Sequence, residues 1–403
     1  MSSSLGELGP AALSTAALGP AALWLLGEGA FAAGVAPLLS GAAERLNRDG
    51  ISLVHAALVI ESLHPLLAGT RFVWRRDTGQ CIEEPRFHGF SAMGHGGILP
   101  DDIEDRVLRL AITAAAAEGE PRYVGEVRGL NATDLIAFPM AFSDGSRHTV
   151  SWATDREAGF TAAQQRALTD LVPLLGPRLE IATMRQVSRT LLDTYLGKRS
   201  GAQVLSGRIR RGDGETIHAV IWLSDLRGFS ALADKLSQEE LIAALNAHFE
   251  RLVAPIRAFG GEVLKFMGDG LLAIFPVGPG GDTAGPASAA LKAARSAMAG
   301  MAQLNRERRK SRLPTLRFGI GLHVGELLWG NIGSPDRLDF TAIGPAVNLA
   351  SRLEHATKAM RRPLVASGTF AEACPEDMTP LGPRKLRGLK DPVELFTLTE
   401  LGP

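Results

Sequence analysis

The feature that most constrains this chain is a tight turn, Met267-Gly268-Asp269-Gly270, set between two short apolar runs at residues 262–266 and 271–275. Apolar strand-type residues on both sides of a glycine-bearing turn predict a β-hairpin. The segments around it extend the pattern. Residues 218–224 (HAVIWLS) read as a buried strand, and Ser237 followed by Glu240 reads as a capping box opening a helix that runs to about residue 259. Pro286 lies in the first turn of an Ala-rich helix ending near Arg308, and strands follow at 316–323 and 327–332. The order β-α-β-β-α-β predicts an α+β, ferredoxin-like (βαββαβ) domain over residues 215–403.

With 403 residues the chain has room for two domains or a little more. Lys and Arg number 43 against 43 Asp and Glu, so the electrostatic footprint of a dedicated nucleic-acid binder is missing and no nucleic-acid partner is expected. Only two cysteines, Cys81 and Cys374, occur far apart, which excludes a disulfide scaffold or a Cys-based zinc site and points to a reducing compartment. The Ala/Gly/Leu-rich stretch 11–39 is broken by Pro20, Glu28 and Pro37, short of the ~20 apolar residues a membrane span needs. No Lys or Arg precedes Arg45, so the basic segment of a signal peptide is missing. The expectation is a cytoplasmic protein with no membrane partner.

Residues 1–28 read as a flexible Ala/Gly-rich lead-in. Between 29 and 177 a helical run at 31–46, an apolar segment at 51–62, a strand at 70–75, a polar loop at 87–101 and a hairpin around Ser143-Asp144-Gly145-Ser146 predict a second α+β domain. One helix is expected from Thr161 to Leu175 and another from Arg178 to Leu196, where Met184, Val187 and Leu191 keep the spacing of a coiled-coil seam. An ordinary packed helix fits that spacing as well. Residues 178–214 are therefore read as a helical linker or stalk.

Two acidic residues stand out on the C-terminal scaffold. Asp225 ends the first strand and Asp269 occupies the hairpin turn, and the split βαβ fold brings these positions to one sheet edge. Two carboxylates ~4 Å apart would repel by about 4 kcal/mol at an effective dielectric of 20, so a pair of this kind is suited to a divalent cation with oxygen ligands, magnesium or manganese. Taken alone, a loop-capping Asp and a turn Asp explain the two positions equally well. Further on, Pro345 starts a helix on which Asn348 and Arg352 are four apart and share a face. An amide and a guanidinium in that register suit a ribose and a phosphate, although such a pair is also common on a solvated helix. Gly325 and Gly330 have Walker-like spacing, but Asn331-Ile332 follows where Gly-Lys-Ser/Thr is needed. His323 reads as a packed strand histidine.

Together, Trp222 to Ser230 (WLSDLRGFS), Leu264 to Gly270 (LKFMGDG), Arg317 to Gly325 (RFGIGLHVG) and Thr341 to Arg352 resemble the catalytic domain of the class III adenylyl/guanylyl cyclases, in order and spacing, over residues 215–400. The resemblance implies conversion of ATP to 3′,5′-cyclic AMP and pyrophosphate by two-metal catalysis with two Mg2+ or Mn2+ ions per site. It makes Asp225 and Asp269 the metal ligands, with the Leu226 carbonyl beside them. Lys265 and Thr341 become the residues that read the base, Thr341 being typical of the Thr-containing, class IIIb-like subgroup, although Pro345 stands where that subgroup usually has Asp. Asn348 and Arg352 become the catalytic residues that orient the ribose and stabilise the pentavalent phosphorus, while Arg317 and Arg387 become triphosphate contacts. A lysine donates only and suits adenine N1, whereas guanine would set a protonated N1 against it. Guanylyl members carry Glu at the Lys265 position, so ATP is the expected substrate. A guanylyl cyclase and a non-catalytic nucleotide-binding module are the alternatives.

Each active site in this family lies between two cyclase domains, which implies a head-to-tail homodimer with two equivalent sites. The domain at 29–177 loosely resembles a GAF domain and is expected to sense an unknown small-molecule effector. Cys81 and the histidines His55, His64, His88, His95 and His148 show no spacing that supports a haem or chromophore.

Overall fold

The computed structural model describes residues 19–61, 67–87, 107–113 and 122–399. The first part of the expected lead-in, nearly all of the polar loop expected at 87–101, and His64, His88 and His95 lie outside them. The chain divides into two compact units between Leu191 and Leu192.

The N-terminal unit contains α1 (Pro20–Leu26), α2 (Val35–Arg48), β1 (Leu53–Glu61), β2 (Leu67–Arg75), β3 (Cys81–Phe87), β4 (Leu108–Ala111), α3 (Arg122–Gly129), β5 (Asp134–Ala141), β6 (Arg147–Thr154) and α4 (Ala162–Tyr195), the last reaching past the boundary. Its strands form an antiparallel sheet in the order β3-β2-β1-β6-β5-β4. Leu39, Leu58, Trp74, Trp152 and Leu175 belong to the core between one sheet face and α2 and α4. Val127 of α3 packs with Leu135 and Ala153 on the other face.

Two expectations change here. The end of the presumed lead-in is helical: α1 buries Ala21, Ala22 and Leu25, and the Arg45 guanidinium lies 4.1 Å from the centre of a Trp24 ring, so a short amphipathic turn has a core to join. The two helices expected around 161–196 are one. Thr161 caps it, its Oγ1 accepting from the Gln164 backbone N–H at 3.2 Å. Pro173 and Pro177 remove backbone donors but do not break the helix, because Leu168, Leu171, Leu175, Leu179 and Ala182 keep one buried stripe running past both prolines.

The C-terminal unit contains α5 (Lys198–Leu205), β7 (Gly214–Leu226), α6 (Phe229–Ala233), α7 (Gln238–Ala258), β8 (Glu262–Met267), β9 (Gly270–Pro276), α8 (Ala284–Lys310), β10 (Phe318–Ser334), β11 (Arg337–Ile343), α9 (Pro345–Met360), β12 (Leu364–Ser367), α10 (Gly368–Ala373), β13 (Met378–Arg384) and β14 (Val393–Leu398). The central order β10-β7-β9-β8 is that of the split βαβ fold, extended beyond β10 by β12, β14 and β13, with β11 also paired to β10. The capping box at Ser237 and Glu240 forms as the sequence indicates.

The strands expected at 316–323 and 327–332 are a single strand, β10, because β7 pairs with it without interruption from Phe318↔Leu226 to Gly330↔Gly214. The last part of the expected linker is not a spacer either. The Arg199 backbone N–H donates to Glu262 Oε1 at 2.8 Å, and the Arg199 guanidinium lies 4.8 Å from the centre of a Trp329 ring, so α5 is part of this unit's fold.

Side chains alternate along β7. Val220 and Trp222 enter the core shared with α7 and α8, while Ala219, Ile221 and Leu223 pack on the side of Ala346 and Ala350 from α9. Alternate glycines on β10 bring α9 unusually close. A Cβ at Gly321 would fall 2.4 Å from Ala350 O and 2.5 Å from Glu354 N, so the helix backbone rests directly on the strand.

Candidate active site

Asp225 continues the odd-numbered series of β7 and so faces the α9 side of the sheet at the strand's end. The turn carrying Asp269 fits tightly against it: a Cβ at Gly270 would come within 2.8 Å of Ser224 O and 3.0 Å of Asp225 Oδ1. Glycine at 270 is therefore what lets the second aspartate approach the first. Burial, and then the neighbouring Asp269 charge, push the Asp225 carboxyl up to about 6. Leu226, the last residue of β7, buries its side chain in the α7/α8 core.

Glu354, on α9, faces the same place. Its carboxyl is pushed up to about 7, by burial first and by the Asp225 charge next, with Asp269 adding to the effect. The half-buried Arg227 guanidinium follows Asp225 by two residues and feels both Glu354 and Arg317. Arg317 is exposed, and its carbonyl accepts from the Arg227 N–H at 2.7 Å. These positions form one half of the candidate site, an acidic edge flanked by two guanidinium groups. Oxygen donors that resist ionising together are a hard ligand set short of positive charge, which fits a divalent cation held by Asp225 and Asp269. Among the described residues no three His, Cys, Asp or Glu side chains close into a cage by themselves.

A second group lies on β8, β11 and α9. Lys265 Nζ forms an ion pair with Asp339 Oδ2, and Thr341 lies two residues further along β11, hence on the same face as Asp339. Asn348 is exposed near the start of α9, and Arg352 follows one turn later. Arg352 and Arg387 line one cleft of about 930 Å3 with His355, Arg384 and Lys385, and a Cβ at Gly388 would lie 3.3 Å from an Arg352 guanidinium nitrogen. The two arginines expected at a triphosphate thus separate within one chain, Arg317 beside the acidic edge and Arg387 beside Arg352.

Sequence reasoning missed Asp339 and Glu354 as site residues. Strand period places Asp339 with Thr341, so the first was within reach. Glu354 looks like an ordinary helix residue until Gly319 and Gly321 are read as a seat for a helix. His323 is a packed strand histidine: it is buried, its Nδ1 lies 2.8 Å from Ser367 Oγ, and burial holds its ring down at about 4.

Residues 215–400 match the family described as the adenylate and guanylate cyclase catalytic domain. Over 176 residues the chain is 31% identical to adenylate cyclase 1 of Rhizobium meliloti (strain 1021), a stretch covering 43% of this chain and 26% of that protein. It is 32% identical to an adenylate cyclase of Anabaena cylindrica over 154 residues, 37% of this chain and 29% of that one. The match therefore spans less than a third of the length of either relative. Among solved structures, the adenylyl cyclase CyaB from P. aeruginosa is 25% identical, with 46% of this chain and 96% of that chain covered and a TM-score of 0.42. No helix among the described residues is long and apolar enough to cross a membrane.

Proposed function

We propose, from the premise that residues 215–400 make this chain a member of the class III adenylyl/guanylyl cyclases, that it converts ATP to 3′,5′-cyclic AMP and pyrophosphate at sites shared by two copies of the chain. The observation that carries this reading is the placement of Asp225 and Asp269 together at the end of β7 and the β8–β9 turn, while Lys265, Thr341, Asn348 and Arg352 lie on β8, β11 and α9. Each chain offers two complementary half-sites, and head-to-tail pairing completes both.

The reaction joins the ribose O3′ to the α-phosphorus and breaks that phosphorus's bond to the bridging oxygen, so pyrophosphate leaves with the electron pair. Two divalent cations held by Asp225 and Asp269, with the Leu226 carbonyl, would lower the pKa of the 3′-hydroxyl and neutralise charge on the triphosphate. Asn348 orients the ribose, and Arg352 stabilises charge on the pentavalent phosphorus. Arg317 from one chain and Arg387 from the other hold the outer phosphates. Lys265, steadied by Asp339, donates to adenine N1, and the Thr341 hydroxyl accepts from the N6 amine.

The antiparallel sheet of the N-terminal unit, with helices on both faces, supports a GAF-like regulatory domain that binds a small-molecule effector. The exposed Met184, with Val187 and Leu191 on the same seam, supports α4 as a dimer stalk.

The test is turnover of purified full-length protein with ATP or GTP and Mg2+ or Mn2+, together with Asp225→Asn and Arg352→Ala. Each variant alone is expected to be inactive, and mixing them is expected to restore part of the activity, because one of the two shared sites is then whole. Cyclic GMP as the main product would overturn the base assignment. Full activity of either variant would overturn the site.

A further inference from the structure

We propose that Glu354 is a positioning residue for the divalent-cation site of its own chain: carried on α9, it sets a third carboxylate behind Asp225 and Asp269. This rests on the cyclase reading above and adds to it a residue outside the two-aspartate pair.

The argument starts from a glycine. Gly319 is the register partner of Asp225 across the β7–β10 ladder, and partners in an antiparallel pair point to the same face. At Gly319 a Cβ would fall 2.2 Å from Thr357 Oγ1 and 2.8 Å from Glu354 Oε1, so the missing side chain leaves a space that the threonine hydroxyl and this carboxylate share. Glu354 therefore stands beside Asp225, over the adjoining strand. Gly321 fixes the arrangement by letting the α9 backbone rest on β10 at Glu354 itself.

Glu354 is only 7% exposed. Among the described residues its carboxylate accepts no hydrogen bond from another side chain, and His355 Nδ1, 3.5 Å from Oε2, is its one charge partner within ion-pair range. A buried acid next to two more acids is costly without compensating charge. The other buried residues of this helix are Ala346, Ala350, Leu353, Ala356 and Thr357, so Glu354 is its one buried ionisable group among the described residues. A cation at the Asp225–Asp269 edge would add to the opposing charge that His355 and Arg227 bring to Glu354. The three side chains do not close into a cage, so Glu354 acts from behind the ligands and not as one of them.

The position has a consequence for the dimer. In the head-to-tail pair, a chain's acidic edge serves one site while its Asn348 and Arg352 serve the other. Glu354 belongs to the helix of the second and touches the first, so it ties cation loading at one site to nucleotide grip at the other.

The direct test is Mn2+ binding to the full-length chain without nucleotide, followed by electron paramagnetic resonance. Glu354→Gln is expected to bind Mn2+ about tenfold more weakly than the unaltered chain, the scale of lost outer support at metal sites. Glu354→Asp should fall between them, and guards against a glutamine variant that does not fold. Equal Mn2+ affinity in all three overturns the proposal.

A heterodimer then separates this role from a structural one. When an Asp225→Asn chain is paired with an Arg352→Ala chain, the surviving site takes its cations from the second and its arginine from the first. Glu354→Gln placed in the Arg352→Ala chain is expected to raise the metal concentration for half-maximal activity about tenfold, and in the Asp225→Asn chain to leave it unchanged. The reverse pattern overturns the proposal. Failure of the two chains to complement at all would overturn the shared-site reading instead, and the Mn2+ titration would still decide the role of Glu354.

Discussion

The two units handle buried charge in opposite ways. In the N-terminal unit carboxylates meet cations: Glu126 is pushed up by burial, but the His55 ring 3.7 Å away and the Arg71 guanidinium, which donates to it at 2.6 Å, hold it down at about 2. Asp155 is likewise held below its usual range, against burial, by Arg76 and Ser52. In the C-terminal unit Asp225 and Glu354 face each other and Asp269, and both are pushed up to about 6 and about 7 by burial and mutual repulsion. A chain that pairs these acids with arginines in one half and sets acids side by side at one sheet edge in the other marks the second place as one built for a ligand, since perturbed acids of this kind gather at functional sites.

Removing an acid should therefore have opposite effects in the two units. The largest effect expected is on catalysis: Asp225→Asn should lower cyclase turnover by at least about a hundredfold, the scale of a lost charge-stabilising group. The same variant, without metal, should unfold at an equal or higher temperature than the unaltered protein, because a like-charge contact is gone. A clear loss of thermal stability in Asp225→Asn would break the comparison, showing that the acidic edge supports the fold.

The seat of α9 comes next. Gly321→Ala would drive a methyl group into backbone atoms of Ala350 and Glu354, 2.4 and 2.5 Å away, which a side-chain rotation cannot relieve. A cost of about 2–3 kcal/mol, read by urea unfolding, and a large fall in turnover are expected, since α9 carries Asn348, Arg352 and Glu354 together. Normal activity with normal stability would show that the close approach is not needed.

Much of the C-terminal unit was legible because its signals are local and strong. The hairpin turn at 267–270, the capping box at Ser237 and Glu240, and the four-residue step from Asn348 to Arg352 each depend on neighbours in sequence. What stayed hidden depends on long-range pairing. Gly325 and the residues beside it look like a break between two strands, but pairing with β7 carries one strand straight through. Pro173 and Pro177 look like a helix end, yet the buried stripe from Leu168 to Ala182 outweighs two lost hydrogen bonds. Glu354 becomes a site residue only once Gly319 is known to sit opposite Asp225. In the N-terminal unit the pairing of Arg71 with both Glu84 and Glu126 joins residues far apart in sequence, which no local pattern announces.

That ion-pair cluster gives the counterpart to the Asp225 experiment. Arg71 Nη2 lies 2.6 Å from Glu126 Oε2, and the arginine side chain is 15% exposed. Glu126→Gln should cost the N-terminal unit about 1–3 kcal/mol, because it leaves a mostly buried guanidinium with one of its two anions, Glu84. The expected readout is a drop in the unfolding transition of this unit, with no change in the metal dependence of turnover. Equal stability of Glu126→Gln and the unaltered chain would erase the contrast between the units.

The smallest effect expected is one of pH, and the two units differ in its window. His248 on α7 is fully buried, neither ring nitrogen has a hydrogen-bond partner among the described residues, and burial alone holds the ring down at about 4. Unfolded, the same ring takes up a proton near 6.5. Between those values the unfolded state binds the extra proton, so the folded state loses stability as pH falls below about 6.5 and stops losing it below about 4. Glu126 has the same sign over a lower pH window: its stabilisation is fully present above the unfolded carboxylate range and fades only as pH falls through that range towards its folded value of about 2. The difference in stability between the unaltered chain and His248→Phe should change by up to about 1.4 kcal/mol per pH unit between pH 6 and pH 4.5, to the disadvantage of the unaltered chain. Because the difference cancels the titration of every other group, a pH-independent gap would mean that His248 is already charged in the fold.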